Sequence, residues 1–209
     1  MFTLGAVALS TAPLFYKSDF METKLKLTSP IPPSVNHYLG YRAIIKNGKA
    51  IGMSYCTNEA KKYKEEFAQY VASEVKRQNW TLEPNAYQHF YIDAIFYFPS
   101  TDRDCNNCWK CLLDALTDTQ LIWLDDNVTC ERVQAIYYDS VNPRVELEIY
   151  PVDYVGVFKN KDELGLFESN CESCKRFARN CSLLRKAKEG RIQSEINNGI
   201  CSKYSKKGV

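Results

Sequence analysis

Residues 103–128 read RDCNNCWKCLLDALTDTQLIWLDDNV. Within them Trp109, Leu112, Leu113 and Leu116 recur at i, i+3, i+4 and i+7, so the middle of the stretch is a helix with one buried stripe. Asn106 or Asn107 can cap its first turn. On either side the pattern changes. Tyr87 to Phe98 before it and Val128 to Tyr138 after it are rich in aromatic and β-branched residues, and both read as strands. A helix set between two strands makes a layered fold of sheet and helix.

Further out the same logic continues. Lys24 to Thr28 alternates charged and apolar residues, a short strand, and Pro30, Pro32 and Pro33 then break regular structure. Residues 39–55 have no clear period and read as a loop or hairpin. Thr57 can cap a second helix in which Ala60, Tyr63, Phe67, Val71 and Val75 keep helical spacing. Arg144 to Tyr150 is a last strand, joined to the one before it by a turn at Asp139–Pro143. The order strand, helix, strand, helix, strand, strand predicts an α+β fold, a mixed β-sheet with packed helices, over residues 21–153. Residues 154–167 read as a linker and residues 168–209 as a small basic module with four cysteines, in which a helix of about four turns fits Leu183 to Ile196.

Hydrophobic residues make up 45% and charged residues 25% of the 209, which excludes a disordered or low-complexity chain. Charge is unevenly spread. Residues 1–154 hold 15 Lys/Arg against 19 Asp/Glu, and residues 155–209 hold 12 against 6. The tail is therefore suited to phosphate, or is simply a solvated surface. The apolar start, residues 1–20, lacks the basic flank of a signal peptide and is too short and broken to span a membrane. It reads as an extension upstream of Met21. The expected setting is cytoplasmic, away from any membrane, and the nine cysteines are then thiols or metal ligands rather than disulfides.

The polar residues of 103–128 carry the chemistry. Asp104 is a loop carboxylate at a helix start, Lys110 lies further along that helix, and Asp125-Asp126 stand just before a strand. If helix and strand pack together, Asp104 and Asp126 converge into an oxygen site that suits Mg²⁺. Lys110 then reaches charge developing on a phosphodiester. A plainer reading gives Asp104 the role of a cap, pairs Lys110 with Asp114 on the surface, and makes Asp125-Asp126 a turn.

The stretch resembles the RusA family of Holliday junction resolvases, whose pattern is approximately Arg-Asp-x-Asp-Asn-x-x-Lys, Asp-Ala-Leu, Asp-Asp-x-x-Val. Arg103, Asp104, Asn107 and Lys110 match the first part, Asp114, Ala115 and Leu116 the second, and Asp125, Asp126 and Val128 the third. Ile31-Pro32-Pro33-Ser34-Val35-Asn36 is similar to the family's Pro-Pro-Ser-x-Asn opening, and the likeness runs over roughly residues 22–151. The resemblance implies a homodimer that nicks opposing strands of branched DNA with Mg²⁺, in recombination and repair, in a phage or prophage setting. It implies Asp104 and Asp126 as metal-binding carboxylates, Lys110 as the catalytic lysine, and Asp125 and Asn107 as supports behind them. Asn36, Arg103 and Lys110 are the expected DNA contacts. One position departs: Asn106 stands where the pattern has its second Asp. An amide oxygen can ligate Mg²⁺ without bringing charge, which leaves open a non-catalytic binder of branched DNA. Asp102 is either a substitute ligand or an ordinary loop residue.

Cys105, Cys108 and Cys111 share a helix and read as free thiols. Cys171, Cys174, Cys181 and Cys201 suit a structural Zn²⁺, with free thiols or an iron–sulfur centre as alternatives. With two histidines in the chain, a His-based metal site is not expected, and His89 reads as structural.

Overall fold

The computed structural model describes residues 23–207 except 178, 193 and 198. The expected N-terminal extension lies outside the described residues. The body is a four-stranded sheet with helices on one face. Strand β1 (Leu25–Pro30) is followed by a one-turn helix α1 (Val35–Tyr38), a ribbon of β2 (Leu39–Lys46) and β3 (Lys49–Cys56), and the long α2 (Asn58–Arg77). Then come β4 (Gln88–Phe98), α3 (Asn106–Thr119), a 3-10 turn over Asp126–Val128, β5 (Thr129–Tyr138) and β6 (Arg144–Val155). The sheet order is β1-β6-β4-β5. β4 runs parallel to β5 and antiparallel to β6, so the sheet is mixed, and the α+β architecture agrees with the sequence.

β4 shows why. Gln88, Phe90, Ile92, Ala94, Phe96 and Phe98 are buried and the residues between them half-buried, the alternation of a strand with one covered face. α2 brings Ala60, Tyr63, Phe67 and Val71 to that face, as the helical spacing predicts, and Val75 packs at its edge. Thr57 caps α2, its Oγ1 accepting from the Ala60 N–H at 3.3 Å. α3 brings Cys108, Cys111, Leu112, Leu113, Ala115 and Leu116. Trp109 is only partly buried and meets Phe96 edge-on at 5.7 Å. The opposite face of the sheet is polar and aromatic: the Arg132 guanidinium lies 3.9 Å from the Tyr91 ring and that of Arg144 lies 3.7 Å from Tyr97.

The Asp139–Pro143 turn joins β5 to β6 as expected, with β4 lying between the two strands, and the Asp139 N–H bonds the Phe98 carbonyl at 2.8 Å as the chain passes the end of β4. Three local readings need correction. α3 is capped by neither Asn106 nor Asn107 but by Asp104, whose Oδ1 accepts from the Asn106 N–H at 2.9 Å. The stretch read as a linker holds the end of β6 and half of helix α4 (Lys161–Glu172). Asn160 accepts from the Glu163 N–H at 2.8 Å while Glu163 accepts from the Lys159 N–H at 2.7 Å, a reciprocal N-terminal cap. The long helix expected over Leu183–Ile196 is the short α5 (Leu183–Lys188), ended by Gly190 at φ +70, and β7 (Ile196–Asn197) with β8 (Ile200–Cys201) forms a small hairpin beyond it.

The C-terminal elements pack on one another around Phe158, Phe167 and Ala187. Gly156, at φ +57, makes this approach: a Cβ there would stand 2.0 Å from the Ala187 carbonyl oxygen.

Candidate active site

α3 and the turn after it hold the site. α3 ends at Gln120, which takes the left-handed conformation at φ 52, and the Gln120 amide then bonds the carbonyls of Thr117 at 2.8 Å and Leu124 at 3.0 Å. Trp123 is fully buried, and its indole N–H donates to Thr117 Oγ1 at 2.8 Å. These contacts pin the loop to the helix it left, so Asp125 and Asp126 emerge at a fixed place beside α3.

The result is a chain of polar groups. Lys110 Nζ donates to Asp114 Oδ1 at 2.7 Å and stands 3.9 Å from Asp126 Oδ2. The Tyr38 hydroxyl, from α1, donates to Asp114 Oδ2. The Asp114 hydrogen bond, joined by the charges of Asp114, Asp126 and Asp125, pushes the Lys110 ammonium above its ordinary value. Burial and the bond to Asp114 push the Tyr38 hydroxyl up as well, so it stays a donor. Lys110 is thus a permanent cation with more than half its side chain open to solvent, aimed by two aspartates.

Lys110 thus stands within ion-pair distance of Asp126, and Asp114 joins them. Asp114 pairs with Lys110 as the plainer reading of the sequence had it, and Tyr38 is the residue that sequence reasoning missed. The i, i+4 spacing of Lys110 and Asp114 was a visible signal, but the reach of Tyr38 across 76 positions had none.

Asp104 lies at the same helix's N-terminus. Besides the Asn106 N–H, its Oδ2 accepts from the Asn107 side-chain amide at 3.3 Å. Asp104 and Asn106 are exposed, so their outward oxygens are open. Asp125 accepts from the Asn127 N–H at 3.0 Å and so caps the 3-10 turn. The Ser100 hydroxyl bonds the Asp102 carboxylate, and this holds Asp102 as a loop residue below its ordinary pKa. Arg103 shares a shallow cavity of about 200 Å³ with Pro32, Pro33, Ser34 and His37, which joins the Pro-Pro-Ser stretch to the start of the acidic segment. Asn36 is exposed on α1 and does not line that cavity.

Among the described residues no three His, Cys, Asp or Glu side chains are gathered closely enough to hold a metal ion. Asp104, Asn106 and Asp126 offer only oxygen donors, which is the chemistry a hard cation such as Mg²⁺ requires. Cys108 and Cys111 are buried thiols, pushed up to about 11 and about 12 by burial, and suit packing rather than ligation. No helix among the described residues is long and apolar enough to cross a membrane.

The β2–β3 ribbon also escaped a functional reading. It stands off the sheet with Tyr41 and Ile45 about four-fifths exposed, and it carries Arg42, Lys46 and Lys49 with no acidic residue. Its root is tied to the site, because the Thr57 N–H bonds the Tyr38 carbonyl at 3.0 Å.

No curated protein is similar enough to the chain to count as a match. The family described as Endodeoxyribonuclease RusA matches residues 30–150, more than half of the chain, from the Pro-Pro-Ser stretch through the last strand of the sheet. The match takes in Arg103, Asp104, Lys110, Asp114 and Asp126, so the residues gathered around α3 lie within the shared domain and the chain belongs to the RusA family of endodeoxyribonucleases.

Proposed function

We propose that this protein is a Mg²⁺-dependent endonuclease that resolves four-way DNA junctions by paired nicking. The observation that carries the reading is Lys110, held charged and half-exposed between Asp114 and Asp126 on a helix whose N-terminus bears Asp104. A bound Mg²⁺ held by Asp104, Asp126 and the Asn106 amide oxygen would supply positive charge at the scissile phosphate and an activated water. Lys110 stabilises the excess negative charge of the pentavalent phosphorus, and Asp114 fixes the direction of the ammonium. Tyr38 holds Asp114 by its second oxygen, so the lysine does not collapse onto Asp126 alone. Arg103 and the ribbon's Arg42, Lys46 and Lys49 take up backbone phosphates, while Asn36 is placed to do so from α1. Paired nicking requires two copies of the site, so the working form is a homodimer acting on branched DNA.

The test is nicking of a synthetic four-way junction, with linear duplex alongside, in Mg²⁺. Wild type nicks the junction selectively. Lys110→Ala lowers the rate by about 10²–10³, and Asp126→Asn abolishes nicking while junction binding persists. A second reading rests on Asn106: a binder of branched DNA that does not cut. Tight junction binding without nicking by the wild type would replace the first reading with this one.

A further inference from the structure

Outside the endonuclease domain, an apolar concavity lies among the C-terminal elements. α4, α5 and the β7–β8 hairpin enclose a cavity of about 450 Å³. Cys171, Cys174, Cys181 and Cys201 all line it. They come from four places: the end of α4, the turn after it, the approach to α5, and β8. The other five cysteines of the chain lie at or before position 130. Every thiol after that point therefore faces one space.

Two further observations separate this from chance packing. First, the Cys174 sulfur accepts from the Ser205 main-chain N–H at 3.5 Å. An N–H group directed at sulfur is the kind of outer contact that orients a metal-bound cysteine. Second, the module's own core is small. Phe158, Phe167 and Ala187 are its fully buried residues, too few for some forty residues of short helices and a two-by-two hairpin to stand without a staple.

We propose that Cys171, Cys174, Cys181 and Cys201 are the four ligands of one structural Zn²⁺ that holds the C-terminal module together. Thiolates select a soft or borderline cation, so this ion is distinct in kind from the one that suits the oxygen donors of Asp104 and Asp126. Four thiolates around Zn²⁺ leave a net charge of about −2. Lys175, Arg176, Arg179 and Arg185 lie on the same segments and offset it. The four thiols line one cavity but are not gathered at a common point, so coordination would require their side chains to turn inward. Metal binding and tightening of the module are then one event.

The experiment uses the full chain, purified under reducing conditions without chelator. Elemental analysis and native mass spectrometry should give one zinc per chain. Co²⁺ exchanged for that zinc should show a thiolate-to-cobalt charge-transfer band and the ligand-field bands of a tetrahedral site. Cys181→Ser and Cys201→Ser should each lose zinc affinity at least about tenfold in competition with a chromogenic chelator, while Cys130→Ser keeps it. The wild-type cobalt spectrum needs no variant to fold. Protein that is metal-free and gives no charge-transfer band with Co²⁺ overturns the proposal. So does iron with inorganic sulfide, which would assign the four cysteines to a cluster. Resolvase activity enters none of these readouts, so the zinc site and the nuclease reading fail separately.

Discussion

At Asp104 a single carboxylate caps a helix and is expected to bind metal. Its Oδ1 satisfies the Asn106 N–H, and its Oδ2 takes the Asn107 amide. Both bonds fix the carboxylate at the N-terminus of α3. A metal bound there would share oxygens already in use. Asn106 sharpens this, because it offers a neutral oxygen. Asn106→Asp should therefore move the midpoint of a Mg²⁺ titration of nicking to lower concentration, by about tenfold if the new charge contributes about 1.4 kcal/mol. An unchanged midpoint would show that Asn106 does not face the ion. At this scale the sequence was legible where chemistry is local. The Asp104 cap and the Lys110–Asp114 pair could be read because residue type and spacing carry them. Tyr38 could not, since its contact with Asp114 exists only once α1 has folded against α3.

Among the elements, α2 and β4 were the most readable, since each buries one face and the period of the buried residues names the element. The β2–β3 ribbon was least readable for the opposite reason. Beyond its root, where Leu39 and Cys56 pack on the core, it covers none, so Tyr41, Ile45, Ile51 and Tyr55 remain exposed and no alternation appears. α4 went unread because its apolar face is thin, with Phe167 its fully buried residue, although Asn160 and Glu163 carry a capping signature. The ribbon makes a prediction of its own. A two-stranded ribbon can enter the major groove, and three cations without an acidic neighbour should release counterions from DNA. Replacing Arg42, Lys46 and Lys49 together by Ala should reduce the salt dependence of junction binding by about 2–3 in the log–log slope. The thermal midpoint should be unchanged, because the ribbon contributes nothing to the sheet. An unaltered slope would remove the ribbon from the DNA surface.

For the molecule as a whole, the sheet's open face holds the clearest electrostatic lock. Asp93 accepts from Arg132 at 2.7 and 2.9 Å, from Gln134 at 2.7 Å and from Tyr150 at 2.9 Å, which ties β4 to both its neighbours. Partial burial alone would push the Asp93 carboxyl up, but these donors outweigh it and hold it below its ordinary value. A depressed carboxyl adds stability above its unfolded pKa, and that stability is lost as pH falls through the folded one. The midpoint gap between wild type and Asp93→Asn should thus be full at neutral pH and close below about pH 4. A gap that persists in acid would mean the lock is one of shape, not charge. The α+β class was legible in the order of elements, whereas the strand order was not, because a turn of five residues between β5 and β6 looks like a hairpin until β4 is seen between them. That arrangement bears on how the chain is made. β1 pairs only with β6, so Leu25 waits for Ile149, and β4 is flanked by two strands that both follow it in sequence. β4 can close its rungs with β5 first, but the nascent chain must carry β1 and the other edge of β4 unpaired until β6 emerges, a long exposure in which α2 can offer provisional cover.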